Sequence, residues 1–334
     1  MPTPNASPFG VVLNDLDSAV PLPFDLCGWT LERPSAEEVE AFRAILATFF
    51  SASVFFGTIV GSPYEATKSG GDADGVLHSW DLPALQWRYA VVREKGPQLD
   101  RVALTQALRI SDGNIWVALW PNPRQLDPQR PSNAVFVPGG NPHDVWQYFS
   151  TAMNAMPEKP DLLEIREVVE LRSNLDGARY PEVVRSLALF LEIDILPERT
   201  KQKFLAYFSV IESLLTHAPQ PNDSVDTLTR QLKRNIIVLS NRLPPSRSLG
   251  IAMFKNGTDR VSPPTVVSQL YGYRSAAAHG DDTEKYLKWF SRNKPDTWSA
   301  DTDAEVHSFV RRLTKRLLIA AMTEPQLVVD LKSA

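Results

Sequence analysis

Cysteine is almost missing from this chain. Cys27 is the single cysteine among 334 residues, which excludes an intrachain disulfide and a zinc site built from several thiolates, and suits a reducing, cytoplasmic setting. Beside Trp29 it reads as a small buried apolar residue. Histidine is scarce as well. His78, His143, His217, His279 and His307 stand at no metal-ligand spacing from one another or from Cys27, so no metal or cofactor is expected. Neither glycine-rich stretch is followed by Lys-Ser/Thr, which excludes a phosphate loop. The opening Met-Pro-Thr-Pro-Asn-Ala-Ser has no basic region and no apolar core, so no secretory signal is expected. The longest uncharged run, residues 44–62, carries Thr48, Ser51, Ser53 and Thr58 and passes from a helical to a β-rich pattern, a poor membrane span. No membrane partner is expected.

What remains is an ordinary globular composition, 43% hydrophobic and 22% charged, long enough for two cores. The net charge of −4 is unevenly spread: residues 161–334 hold 24 Lys and Arg against 22 Asp and Glu, and residues 1–160 hold 11 against 17. The second half is thus the better surface for a polyanion.

The first half, 1–157, reads as mixed α and β. Strand patterns fall at 24–31, 54–60, 85–92, 115–119 and 134–137, and helical patterns at 36–49 and 100–109, the first opened by Ser35 and Glu38 in capping-box spacing. Residues 69–75 read as a turn-rich tip and 121–131 as a proline-punctuated connection. Six of the eight tryptophans lie here, as expected core: Trp29, Trp80, Trp87, Trp116, Trp120 and Trp146. After Pro157-Glu-Lys-Pro160 the period turns helical. Apolar stripes run through Val183, Leu187 and Phe190; through Phe204, Phe208, Ile211 and Leu215; through Val225, Leu228, Leu232, Ile236 and Leu239; and through Val306, Val310, Leu313 and Leu317. The expectation is an α+β chain: a mixed α/β domain followed, from 160 to 334, by an all-α bundle of about five main helices.

The densest chemistry lies late in that half, in Tyr271-Gly-Tyr-Arg-Ser-Ala-Ala-Ala-His-Gly280. Arg274 carries a planar, permanent charge that fits a phosphate in two-point contact, and His279 is the side chain suited to proton transfer near neutral pH. Ser262-Pro263-Pro264 predicts the start of their helix and Gly280 its end. At about 100° per residue, Arg274 and His279 stand about 140° apart around a regular helix, whereas Ser275 shares a face with His279. Arg and His therefore share no clean stripe, but they can still converge on one substrate if the helix stops at His279.

Glu212, on the edge of the second stripe, is the natural partner of Arg274 if those two helices pack together, in a supporting role. Lys285, Lys288, Arg292 and Lys294, with Arg311, Arg312, Lys315 and Arg316, form two basic bands; beside His279 they would attract a nucleic-acid backbone, and otherwise they are solvated faces. Asp281, Asp282 and Glu284 read as a solvated cluster at a helix end.

The segment Leu270-Tyr271, Arg274-Ser275, His279-Gly280 resembles the Arg-x4-6-His signature of the HEPN superfamily, and most of all its Apea-like branch. The likeness covers about residues 160–330. It implies a helical HEPN domain, generally a homodimer, acting as a metal-independent ribonuclease on RNA. Arg274 and His279 are the implied catalytic pair and Tyr271 part of the flanking signature. It further implies a bacterial antiviral or abortive-infection role, with the first domain sensing a regulatory ligand or phage-derived trigger. Many nucleolytic members carry Asn, Asp or His after the Arg, where this chain has Ser275. A non-catalytic HEPN module that binds nucleic acid or a protein is the alternative. An Arg274 buried against Glu212 with His279 facing the core would favour it, and both side chains open to a basic cleft would favour the enzyme.

Overall fold

A computed structural model of the chain describes residues 9–12, 21–36, 38, 67–71, 77–81, 90–96, 100–112, 115, 117–121, 134–136, 162–193, 196–217 and 228–333. The strand expected at 54–60, most of the helix at 36–49, all of the connection at 121–131 but Pro121, and Val225 lie outside them. The architecture is α+β, with an antiparallel sheet near the N-terminus and nine helices among the described residues. The chain forms two compact units, 1–170 and 171–334.

The first unit is built on β1 (Phe9–Val12), β2 (Phe24–Leu26), β3 (Trp29–Glu32), a separate hairpin β4 (Thr67–Gly71) and β5 (Leu77–Asp81), then β6 (Ala90–Glu94), α1 (Arg101–Ile110), β7 (Val117–Pro121) and β8 (Ala134–Phe136). Six strands join in the order β2-β3-β6-β1-β7-β8, each pair antiparallel. Register is fixed by apolar pairs such as Val11 opposite Val91 and Leu31 opposite Val92, all four buried. Gly10 lets the sheet close on Trp120, because a Cβ there would meet Val117 Cγ1 at 2.7 Å and the indole at 3.0 Å. Asp100 caps α1 by accepting from the amides of Val102 and Ala103, and Ala103, Leu104, Ala107, Leu108 and Ile110 are buried along it. The capping box forms as its spacing predicts: Ser35 N donates to Glu38 Oε2 at 2.8 Å and Glu38 N donates to Ser35 Oγ.

Three expectations for this unit are corrected. The single strand at 24–31 is a hairpin, since Cys27 and Gly28 take positive φ of 52° and 95° and turn the chain between β2 and β3. Cys27 is consequently half-buried in that turn rather than a core residue. The glycines of the supposed flexible tip, Gly70 and Gly71, belong to β4 and pair with His78 and Leu77 of β5. Of the expected tryptophan core, Trp29 and Trp120 are buried with rings 5.5 Å apart.

The second unit follows α2 (Leu162–Ser173), a helix through which the division runs. It comprises α3 (Pro181–Glu192), α4 (Lys201–Leu215), α5 (Leu228–Ser240), a short pairing of β9 (Lys255–Asn256) with β10 (Asp259–Arg260), α6 (Pro263–His279), α7 (Glu284–Asn293), α8 (Thr302–Thr323) and α9 (Pro325–Ser333). The β9–β10 hairpin corrects the all-α expectation, and α7 and α9 add to the five main helices expected. Every stripe residue of α3, α4 and α8 named above is buried, each large one contributing about 1.5–3 kcal/mol relative to exposure. Helix α4 touches α3, α5, α6, α8 and α9, and α8 touches α3, α4, α5, α7 and α9, so these two carry the core. Helix α6 rests on α4, α5 and α7. Its approach to α7 needs Gly272, where a Cβ would fall 2.3 Å from the Tyr286 ring. No described helix is long and apolar enough to cross a membrane.

Candidate functional site

Helix α6 begins and stops where its sequence predicts. Ser262 is the N-cap, with Pro263 and Pro264 opening the first turn, and Ser262 Oγ lies 2.7 Å from Thr265 Oγ1. At the far end Gly280 adopts the left-handed conformation, φ 75° and ψ 15°, and the Gly280 and Asp281 amides both donate to Ala276 O. His279 is therefore the last helical residue, and its side chain is exposed. Beyond it Asp281 and Asp282 are exposed, and Asp282 Oδ1 accepts from Glu284 N at 2.8 Å to start α7.

Arg274 has the partner expected for it. Its Nη2 donates to Glu212 Oε2 of α4 at 2.9 Å, with the Arg side chain 27% exposed and the Glu side chain 16%. One turn earlier, Tyr271 places its ring 5.9 Å from the guanidinium carbon, in cation–π range. The Tyr271 ring is itself braced against Phe208, 6.4 Å away. Arg274 Nε and Glu212 Oε1 are both buried and have no hydrogen-bond partner among the described residues. Such orphaned atoms in a largely buried pair mark a place where an added group would gain rather than lose hydrogen bonds. Ser275 is half-buried, on the opposite side of Arg274 from Tyr273.

The motif thus has one anchored and one open member. Arg274 is fixed against Glu212 and His279 faces solvent, five residues and about 7.5 Å further along the axis. Each half meets a different one of the two arrangements weighed from the sequence.

The basic bands divide on inspection. Lys285, Lys288, Arg292 and Arg312 are exposed, and Lys285 Nζ stacks 4.8 Å from the Tyr286 ring centre. Arg311 and Arg316 are half-buried. Lys315 is 3% exposed and is corrected as an RNA contact: α8 is covered by five neighbouring helices, so its buried arc is wider than the single stripe read from the sequence. Lys294 Nζ is engaged with Ser299 O at 2.8 Å.

Sequence reasoning passed over His307, which belongs to a polar cluster inside the second unit. Tyr273, the residue before Arg274, donates its hydroxyl to Asp303 Oδ1 at 3.0 Å, and His307 Nε2 lies 3.8 Å from the same oxygen. Burial, with the Asp303 charge added, pushes the Tyr273 phenol far above its ordinary value. Burial lowers the His307 pKa, against an upward pull from Asp303 and Glu198. The available signal was the Asp303-x3-His307 spacing, which puts both on one helix face. A comparison of the chain with protein-family models, curated proteins and solved structures found no match.

Proposed function

We propose that this chain is a metal-independent HEPN-type endoribonuclease that cuts RNA through its own 2′-hydroxyl, with Arg274 and His279 as the working pair. The observation that carries the reading is the end of α6: an exposed imidazole on the last helical residue, on the same helix as a guanidinium whose position is set by Glu212 and Tyr271. In the reaction the 2′-oxygen attacks the adjacent phosphorus as its proton leaves, and the 5′-oxygen departs as it gains one. The products are a 2′,3′-cyclic phosphate and a 5′-hydroxyl. His279 transfers one of these protons, and Arg274 stabilises the charge gathered on the non-bridging oxygens. Exposed Lys285, Lys288 and Arg312 add backbone attraction.

Two protons move, and one protomer offers one His of this motif. A homodimer across a two-fold axis would bring a second His279 and a second Arg274 to the same phosphate, which also answers the separation of about 140° between them on one helix. In this reading the N-terminal unit restrains or triggers the nuclease in response to a phage-derived or other ligand, as an antiviral device would.

The alternative is a non-catalytic module for nucleic acid or a partner protein. It is favoured by one specific observation, the ion pair that already occupies Arg274. One experiment separates the two: purified full-length protein and His279→Ala are incubated with RNA in EDTA and the product ends are mapped. Cleavage by the wild type to cyclic phosphate ends, lost in His279→Ala, supports the enzyme. Cleavage undiminished in His279→Ala, or strictly dependent on Mg²⁺, overturns the mechanism, and no cleavage by either protein favours the module.

A further inference from the structure

A second site lies inside the helical unit, in a cavity of about 330 Å³ between α4 and α8. It is lined by Glu198, Arg199, Lys203 and Tyr207 on one side and by His307 and Arg311 on the other. The spacing explains the convergence. Lys203 and Tyr207 stand one turn apart on α4, and His307 and Arg311 one turn apart on α8, so two helix faces deliver two side chains each.

Charge decides what the cavity suits. Lys203 is spent internally: its side chain is 4% exposed, and Nζ donates to Glu198 Oε1 and to Leu196 O at 3.1 Å. Arg199 at the rim is only loosely tied, 3.7 Å from an exposed Asp301. Arg311 makes no hydrogen bond or ion pair among the described residues. Arg311 is therefore the guanidinium left over, and Arg199 is held only by that long contact at the rim.

The buried wall adds the sharper sign. His307 is nine-tenths buried, and its nearest carboxylate oxygen, at 3.8 Å, is beyond hydrogen-bond reach. An imidazole that makes no hydrogen bond at the wall of a cavity is available to a bound ligand atom. The ring is held in place by Phe204, 5.4 Å between centroids, and by Tyr273, 6.4 Å.

We infer that this cavity binds a small phosphomonoester. A phosphomonoester carries close to two negative charges at neutral pH and three acceptor oxygens, which match the free Arg311 guanidinium, the loosely held Arg199 and one imidazole. A monocarboxylate offers only two acceptor oxygens to these three side chains. The volume sits at the lower end of the range for small-ligand sites, enough for the phosphate and a compact organic body beside Tyr207 and Ala304. The inference does not depend on RNA cleavage at Arg274 and His279.

The test is calorimetric titration of the full-length protein with phenyl phosphate, inorganic phosphate and benzoate, followed by Arg311→Gln and Arg199→Gln. Phenyl phosphate is expected to bind and benzoate to bind far more weakly. Each substitution is expected to weaken phenyl phosphate at least about tenfold, the scale of one charge-assisted contact, while thermal unfolding without ligand stays close to wild type. Inorganic phosphate binding as tightly as phenyl phosphate would replace the ester by the free anion. Absence of binding by either phosphate, or equal affinity in both variants, would overturn the site.

Discussion

The ion pair between Arg274 and Glu212 offers the most direct measurement of what Arg274 is for. Its geometry is good, 2.9 Å between Nη2 and Oε2, and its surroundings are intermediate, since the two side chains are 27% and 16% exposed. Fully exposed pairs are worth about 0.2–1 kcal/mol, and breaking a fully buried one costs about 3–5 kcal/mol. A coupling of about 1.5–2.5 kcal/mol is expected from a double-mutant cycle of Arg274→Ala and Glu212→Gln. For a unit of this size that corresponds to about 3–10 °C in the unfolding midpoint. Arg274→Ala should be the more damaging single change, because Glu212 Oε1 is already buried without a partner and Oε2 would join it. Urea unfolding followed by far-ultraviolet circular dichroism supplies the four stabilities. A coupling below about 0.5 kcal/mol would show that the contact fixes nothing and would refute the argument that Glu212 positions Arg274. Arg274→Lys then separates stability from chemistry: charge is kept, the two-point fork is lost, and RNA cleavage should fall sharply with the fold retained.

In a cleavage assay, His279→Ala should lose about 10²-fold or more in rate while unfolding at the wild-type temperature, because the side chain is exposed. Mixing Arg274→Ala with His279→Ala subunits should restore part of the activity if each site draws its Arg and His from different chains, and a fully active monomer in the ultracentrifuge would refute the dimeric site. Gly280→Ala should cost about 1–2 kcal/mol, measured by urea unfolding, since φ is 75° there and an L side chain meets its own carbonyl. The His307 pKa is lowered by burial, so the unfolded chain binds its proton first as the pH falls. Wild type should therefore lose stability below about pH 6.5 relative to His307→Gln and gain nothing from this group above it, and parallel stability profiles for the two would refute the assignment.

How much was legible in the sequence follows from how far each interaction reaches along the chain. The capping box of Ser35 and Glu38, the start of α6 at Ser262-Pro263 and its stop at Gly280 join residues within one turn, and residue types alone determined them. The stripes of α3, α4 and α8 were equally readable, because a buried helical face repeats at a fixed period. The partner of Arg274 was half legible. Charge complementarity pointed to Glu212, but only the packing of α4 on α6 brings the two together across 62 residues.

Tertiary structure decided the rest. A positive-φ turn at Cys27 and Gly28 divides one apolar run into two strands, and the order β2-β3-β6-β1-β7-β8 sets strands beside one another that are far apart in the chain. Lys315 looked solvated because a single stripe was read on α8, whereas five helices close around it. His307 looked idle for the same reason. Its neighbours Phe204 and Glu198 come from a distant stretch of chain, and a cavity is made by two surfaces that no single sequence window contains.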